Sequence, residues 1–101
     1  MTSKLTHVRG TVLDEDMECS LQELCRLCNI TADIIHEMIN EGLIQPRGRE
    51  QTQWRFTFIE IRRVQTSLRL QRDLRVNLPG CALVLDLLDE LQELKRRSRI
   101  G

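Results

Sequence analysis

The chain has 101 residues, 41 % of them apolar and 30 % charged, a length and balance that suit one globular domain with a modest core. Its fifteen basic and fifteen acidic residues cancel to a formal net charge of zero. This excludes a bulk electrostatic footprint for nucleic acid, which needs an excess of Lys and Arg to displace counterions.

Only Trp54, Phe56 and Phe58 are aromatic, so the core must be mostly aliphatic. No apolar run reaches the roughly 18 residues of a membrane-spanning helix, and the N-terminus lacks the apolar stretch of a signal peptide. The expectation is a cytoplasmic protein with no membrane partner.

Residues 1–18 show no clear period and hold the acidic cluster Asp14, Glu15, Asp16 and Glu18. They are expected as a loosely ordered N-terminal segment ahead of a single helical domain over 19–101. Ser20 and Glu23 have the spacing of a capping box, in which each side chain satisfies an orphan backbone N–H of the other. Leu21, Leu24, Cys25 and Cys28 then follow the i, i+3, i+4, i+7 rule of one helical face. Asn29-Ile30 makes a tight break, and Thr31 caps a second helix with an apolar stripe of Ile34, Ile35, Met38 and Ile39. Gly42 supplies the left-handed stop. Two short helices joined by a three-residue turn outline a helix-turn-helix.

Leu43-Ile44 and Gln53–Phe56 flank a polar turn from Pro46 to Thr52. They are too short for helices and predict a small β-hairpin, a wing. Thr57 and Glu60 form a second capping box, opening a long helix to about Arg75. Ile61, Val64 and Leu68 lie on one side of it and Ile59, Leu70 and Leu74 on the other, which predicts a helix sandwiched between partners. Asn77 caps the last helix, with Pro79 in its first turn. This helix runs to about Arg97, acidic residues first and basic residues last, as the helix dipole favours.

This order of elements is that of the MerR-type winged helix-turn-helix. The stretch from Glu41 through Gly42-Leu43-Ile44-Gln45-Pro46-Arg47, then Thr52 to Phe56, resembles the wing of the CbpM family of chaperone modulators. Leu68 to Leu74, Asn77-Leu78-Pro79-Gly80 and Leu85 to Asp89 resemble that family's second half. The resemblance covers roughly residues 19–95, and the Pro-Gly at the head of the last helix is its most specific element. It implies a mostly α, MerR-like fold with a small hairpin wing and a C-terminal helix. It also implies an adaptor that binds the J-domain of a DnaJ-like (CbpA-type) co-chaperone and blocks its action on a DnaK-type chaperone.

In MerR-type regulators the second helix enters the major groove and carries Arg and Tyr. Aligned on Gly42, this chain has Asp33 and His36 where those proteins commonly have Arg, and Glu37 where they have Tyr. Residues 31–41 contain Asp33, Glu37 and Glu41 with no Lys or Arg, a charge of −3. An anionic ridge repels phosphates, so DNA binding is expected to be weak or absent.

Charge runs are in general solvated faces. The lack of any basic residue in eleven, and the basic helix that J-domains present, favour instead a partner-binding surface at Asp33, Glu37 and Glu41. Arginines are concentrated elsewhere, at Arg47, Arg49 and Arg55 in the wing and Arg62, Arg63, Arg69, Arg72 and Arg75 in the long helix. Stems covering apolar surface with solvated heads is their plainest reading, beside phosphate contact, intramolecular pairing and partner contact.

Cys25 and Cys28 form a Cys-x-x-Cys, but the second pair of a zinc site and the strand context of a redox motif are both missing. Both fall on the apolar stripe and read as core. His36 reads as a plain polar residue. Phosphate loops, nucleophile elbows and paired carboxylates are absent, so neither an enzyme nor a cofactor is expected.

In the last helix Val84, Leu88 and Leu91 suffice for a core-facing stripe. Leu83, Leu87 and Leu94 widen it into a second surface, which predicts a homodimer interface at Leu83, Leu87, Leu91 and Leu94. The competing functions are a MerR-type DNA-binding transcription regulator and a helical scaffold that only dimerises.

Overall fold

The computed structural model describes the backbone of residues 5–8 and 11–100 and the side chains of 15–99. Two strands open it, β1 (Leu5–Val8) and β2 (Thr11–Asp14), paired antiparallel with Leu5 opposite Asp14 and Val8 opposite Thr11. This hairpin stands where the sequence shows no period. Its signal is the run of Thr and Val on either side of Arg9-Gly10, too short and too polar to read as strands without the pairing.

The helix-turn-helix follows as α1 (Leu21–Cys28) and α2 (Ala32–Asn40). The Glu23 N–H donates to Ser20 Oγ at 3.1 Å and the Ser20 N–H to Glu23 Oε1 at 2.8 Å, so the capping box forms as expected. Asn29 sits in the left-handed region at φ 56°, and the Ile30 N–H reaches back to the Cys25 carbonyl at 3.1 Å. Asn tolerates that conformation, which makes a turn of so few residues accessible. Thr31 caps α2 through the Ile34 N–H, and Gly42 (φ 77°) ends it, with the Leu43 N–H on the Met38 carbonyl at 2.9 Å.

The wing differs from the expected hairpin. Leu43 and Ile44 are consecutive yet both buried, at 1 % and 4 % exposure. An alternating strand cannot bury two neighbours on one face, so they plug the core from a loop. The wing closes instead through one antiparallel bridge, Arg47 opposite Arg55, with both N–H···O distances 2.9 Å. Between them Gly48 adopts φ 108°, and a Cβ there would lie 2.7 Å from the Gln53 carbonyl oxygen. The strand after the bridge, β4 (Phe56–Thr57), pairs with β3 (Glu18–Cys19) rather than with Leu43-Ile44. Phe56, fully buried, thereby stands beside buried Cys19.

Helix α3 (Phe58–Leu74) begins at the second capping box, with the Thr57 N–H on Glu60 Oε1 at 3.1 Å. It stops at Arg75, left-handed at φ 54°. Ile61, Val64 and Ser67 are its buried face, while Ile59 and Leu74 are 65 % and 68 % exposed. Leu70, expected with them, does pack against the core, so the expected sandwich holds only in part, and among the described residues the buried core lies on the Ile61 side.

Helix α4 (Leu78–Ile100) starts at Asn77, whose Oδ1 accepts the Gly80 N–H at 2.8 Å. A Cβ on Gly80 would meet that same side chain at 2.9 Å and Val76 at 2.8 Å, which accounts for the Pro79-Gly80 pair at this helix head. Cys81, Ala82 and Leu85 are its buried face. Leu88 and Leu91, expected on the core stripe together with Val84, are 46 % and 47 % exposed. The reason is length. Helix α4 meets α3 at the level of Cys81, whose Sγ lies 3.7 Å from the Ser67 carbonyl oxygen, and then runs past the core.

The architecture is thus mostly α, a MerR-like helix-turn-helix with short antiparallel strand pairs and a long C-terminal helix. Cys19, Cys28 and Cys81 are buried in the core, and Cys25 packs against it, as small apolar residues do.

Candidate functional site

Helix α2 turns Ile35 and Met38 fully inward, with Ile34 and Ile39 packed against the core. That orientation leaves Asp33, Glu37 and Glu41 exposed. Residues four apart are neighbours on a helix, so the three carboxylates run in line along α2 and onto its C-cap, Glu41. Among the described residues none of the three has an ion pair or a side-chain hydrogen bond. Their charge of −3 is therefore presented to solvent without internal compensation.

His36 stands between them, half-buried rather than simply solvated. Its Nε2 lies 3.1 Å from Gln51 Oε1, and its ring meets Trp54 edge-on at 5.6 Å between centroids. Trp54 in turn meets Phe56 edge-on at 6.2 Å. These contacts tie the wing to the ridge helix. Sequence alone does not reveal those made by His36, because they span 15 residues or more.

The basic residues divide into paired and unpaired groups. Arg47 lies 3.8 Å from Glu18, and Arg55 lies 3.9 Å from Glu23, so part of the wing's positive charge is met within the chain. Glu23 is held below the usual carboxylate range, mainly by its hydrogen bonds from Ser20. The exception among the arginines is Arg63, whose side chain is 13 % exposed. Its guanidinium donates to Asp89 at 2.7 Å, to Asp86 at 2.9 Å and to the Leu43 carbonyl. One side chain thus joins α3, α4 and the loop just beyond the ridge. The sequence hint is the spacing of Asp86 and Asp89, three apart, which marks a shared face but names no partner.

The leucines predicted at a dimer interface are all unpartnered: Leu83 is 60 % exposed, Leu87 53 %, Leu91 47 % and Leu94 58 %. Beside them α3 and α4 flank an open groove of about 610 Å3, lined by apolar Phe58, Ile59, Leu88 and Leu91 and by the cations Arg62 and Lys95 among others. Arg62 lies over the Phe58 ring, 5.7 Å from its centroid.

Cys19, Cys25 and Cys81 are held in the thiol form. Burial, and then Glu23, pushes Cys19 up to about 12, and burial raises Cys25 and Cys81. Among the described residues no three His, Cys, Asp or Glu side chains come together in a way that could hold a metal ion, and no helix is long and apolar enough to cross a membrane.

A model of the MerR HTH family of regulatory proteins matches residues 19–100. The chain is also similar to proteins named chaperone modulatory protein CbpM. It is 33 % identical to that of Coxiella burnetii over 92 residues, covering 91 % of this chain and 87 % of the relative. It is 30 % identical to that of Pseudomonas putida over 82 residues, 81 % of each chain. With the Escherichia coli protein the identity is 30 % over 81 residues, 80 % of each.

Proposed function

The chain belongs to the CbpM family of chaperone modulatory proteins on a MerR-type scaffold, and from that premise we propose that it binds the J-domain of a DnaJ-like (CbpA-type) co-chaperone in the cytoplasm. Binding covers the J-domain's basic helix and so inhibits its stimulation of a DnaK-type chaperone. The observation that carries this reading is the ridge of Asp33, Glu37 and Glu41, without ion-pair partners among the described residues, on a helix capped at both ends. Complementary charge steers a basic partner and sets its register. In this reading the protein is an adaptor, not an enzyme.

The description of the matching family favours a second reading, a DNA-binding transcription regulator. The same ridge opposes it, because the helix that would enter the major groove carries −3 toward phosphates.

One experiment separates the two. Asp33→Lys with Glu37→Lys should weaken calorimetrically measured J-domain binding by at least roughly tenfold and make the remaining affinity less responsive to salt. Unchanged affinity removes the ridge as the docking site. Nanomolar preference of the unmodified protein for one duplex over random DNA at physiological salt would promote the regulator.

The exposed leucines Leu83, Leu87, Leu91 and Leu94 belong to the same proposal as a homodimer interface. A contiguous apolar face of this kind on a soluble chain ordinarily marks an association surface.

A further inference from the structure

The acidic ridge has an aromatic neighbour whose donor the fold does not use. Trp54, the chain's only tryptophan, is half-buried. It packs on the core and meets the buried Phe56 ring edge-on at 6.2 Å. Its indole N–H donates to no described residue. A buried indole ordinarily finds an acceptor, and tryptophans with an apolar body and a free donor are concentrated at interfaces.

The wing holds this side chain in place. The Trp54 backbone N–H closes a turn on the Gln51 carbonyl at 3.3 Å, and the next residue, Arg55, is fixed by its bridge to Arg47. A side chain held in this way has little freedom left to lose on binding. His36 joins it to the ridge. The imidazole lies 5.6 Å from the indole, centroid to centroid. On α2, His36 follows Asp33 by three residues, so the two are neighbours on the helix surface. A half-buried aromatic and an exposed carboxylate therefore border one imidazole.

We propose that Trp54 anchors the J-domain on this surface: a lysine or arginine of the partner's basic helix lays its apolar stem on the indole and carries its charge to Asp33. The proposal rests on the J-domain reading and adds the residue that holds the partner once the ridge has steered it. The two parts act at different ranges. Exposed carboxylates attract over about 8–10 Å and raise the rate of encounter. A desolvated aromatic contact acts only at closest approach and slows dissociation. Attraction between a cation and an indole face selects the same basic partner that the ridge selects.

The test uses the full chain labelled with 15N and an unlabelled J-domain of a CbpA-type protein. Trp54 gives the one indole N–H signal of the labelled chain. At saturation that signal should shift, and its hydrogen exchange with water should slow. Stopped-flow mixing with a dye-labelled J-domain separates the rates. Trp54→Ala should speed dissociation roughly tenfold or more and leave association and its salt dependence within about twofold. Asp33→Lys should instead lower the association rate and flatten its salt dependence. Trp54→Phe keeps a ring against Phe56 but loses the donor and part of the platform, so its dissociation rate should fall between. Thermal melts establish that each variant is folded, and if Trp54→Ala is not, the indole signal and Trp54→Phe decide.

An indole signal that keeps its position and exchange rate while calorimetry shows the J-domain bound overturns the anchor and leaves the ridge reading standing. Unchanged dissociation in folded Trp54→Ala does the same. If calorimetry shows no J-domain binding to the unmodified chain, the reading falls and the anchor falls with it.

Discussion

Replacing Arg63 with Ala should cost more stability than its two surface ion pairs can explain. Its partners Asp86 and Asp89 have side chains 63 % and 67 % exposed, so each recovers water when the guanidinium leaves. Pairs of that exposure contribute about 0.2–1 kcal/mol apiece. The Leu43 carbonyl is different: it belongs to a residue 1 % exposed and loses its donor inside the fold. An acceptor left unpaired in such a place costs about 1–3 kcal/mol. The expected loss is therefore about 2–4 kcal/mol, most of it from the carbonyl. Arg63→Lys should recover only part, because an ammonium cannot reach three partners with a planar fork. Asp86→Asn with Asp89→Asn should cost less than about 2 kcal/mol, the sum of the two surface pairs. Urea unfolding followed by circular dichroism, at one fixed protein concentration so that association adds equally, measures each of these variants. If the double Asn variant loses as much as Arg63→Ala, the ion pairs carry the clamp and the argument from the buried carbonyl is wrong.

Other expectations follow from the same geometry. Phe56→Ala should destabilise by about 3–5 kcal/mol in the same assay, since the ring is fully buried between the ridge-side aromatics and Cys19. Gly48→Ala should lower the melting temperature, since its φ of 108° and its 2.7 Å approach to the Gln53 carbonyl leave no room for a Cβ. Cys19 gives a pH dependence: its thiol is raised from 9.0 to about 12 on folding. The folded state then holds a proton that the unfolded chain has released, so the stability from this group is intact below about pH 9 and lost as pH rises toward 12. Cys19→Ala should flatten that alkaline decline in a pH series of unfolding curves, and an unchanged slope would assign it to other groups.

The parts of the fold that are legible in the sequence are those determined within one turn of helix. Ser20 with Glu23 and Thr57 with Glu60 announce their helices because a capping box is an exchange of hydrogen bonds between residues three apart. Gly42 and Asn77 mark a stop and a start for the same local reason. The acidic ridge is legible too, because α2 has only one apolar stripe, and what remains must face water. What fails is whatever depends on a distant neighbour. The partner of Phe56-Thr57 is Glu18-Cys19, nearly forty residues earlier, and a two-residue strand carries too little pattern to announce it.

The face of α4 shows the limit most clearly. Periodicity tells which leucines share a side of the helix, and it groups them correctly. It cannot tell how far the body of the protein extends beneath them. Two stripes of similar apolarity lie along α4, and the one used for the core, through Cys81, Ala82 and Leu85, gives way beyond Leu85 to the polar clamp of Arg63 with Asp86 and Asp89 and to an open groove beside α3. Beyond that point every leucine from Leu87 to Leu94 is at least 46 % exposed, whichever stripe it belongs to. Burying a leucine yields about 1.5–3 kcal/mol. A helix that leaves four of them about half exposed forgoes that burial free energy within the single chain. The proposed homodimer would recover that energy on the leucine face, which is why periodicity within one helix could group these residues but not say what covers them.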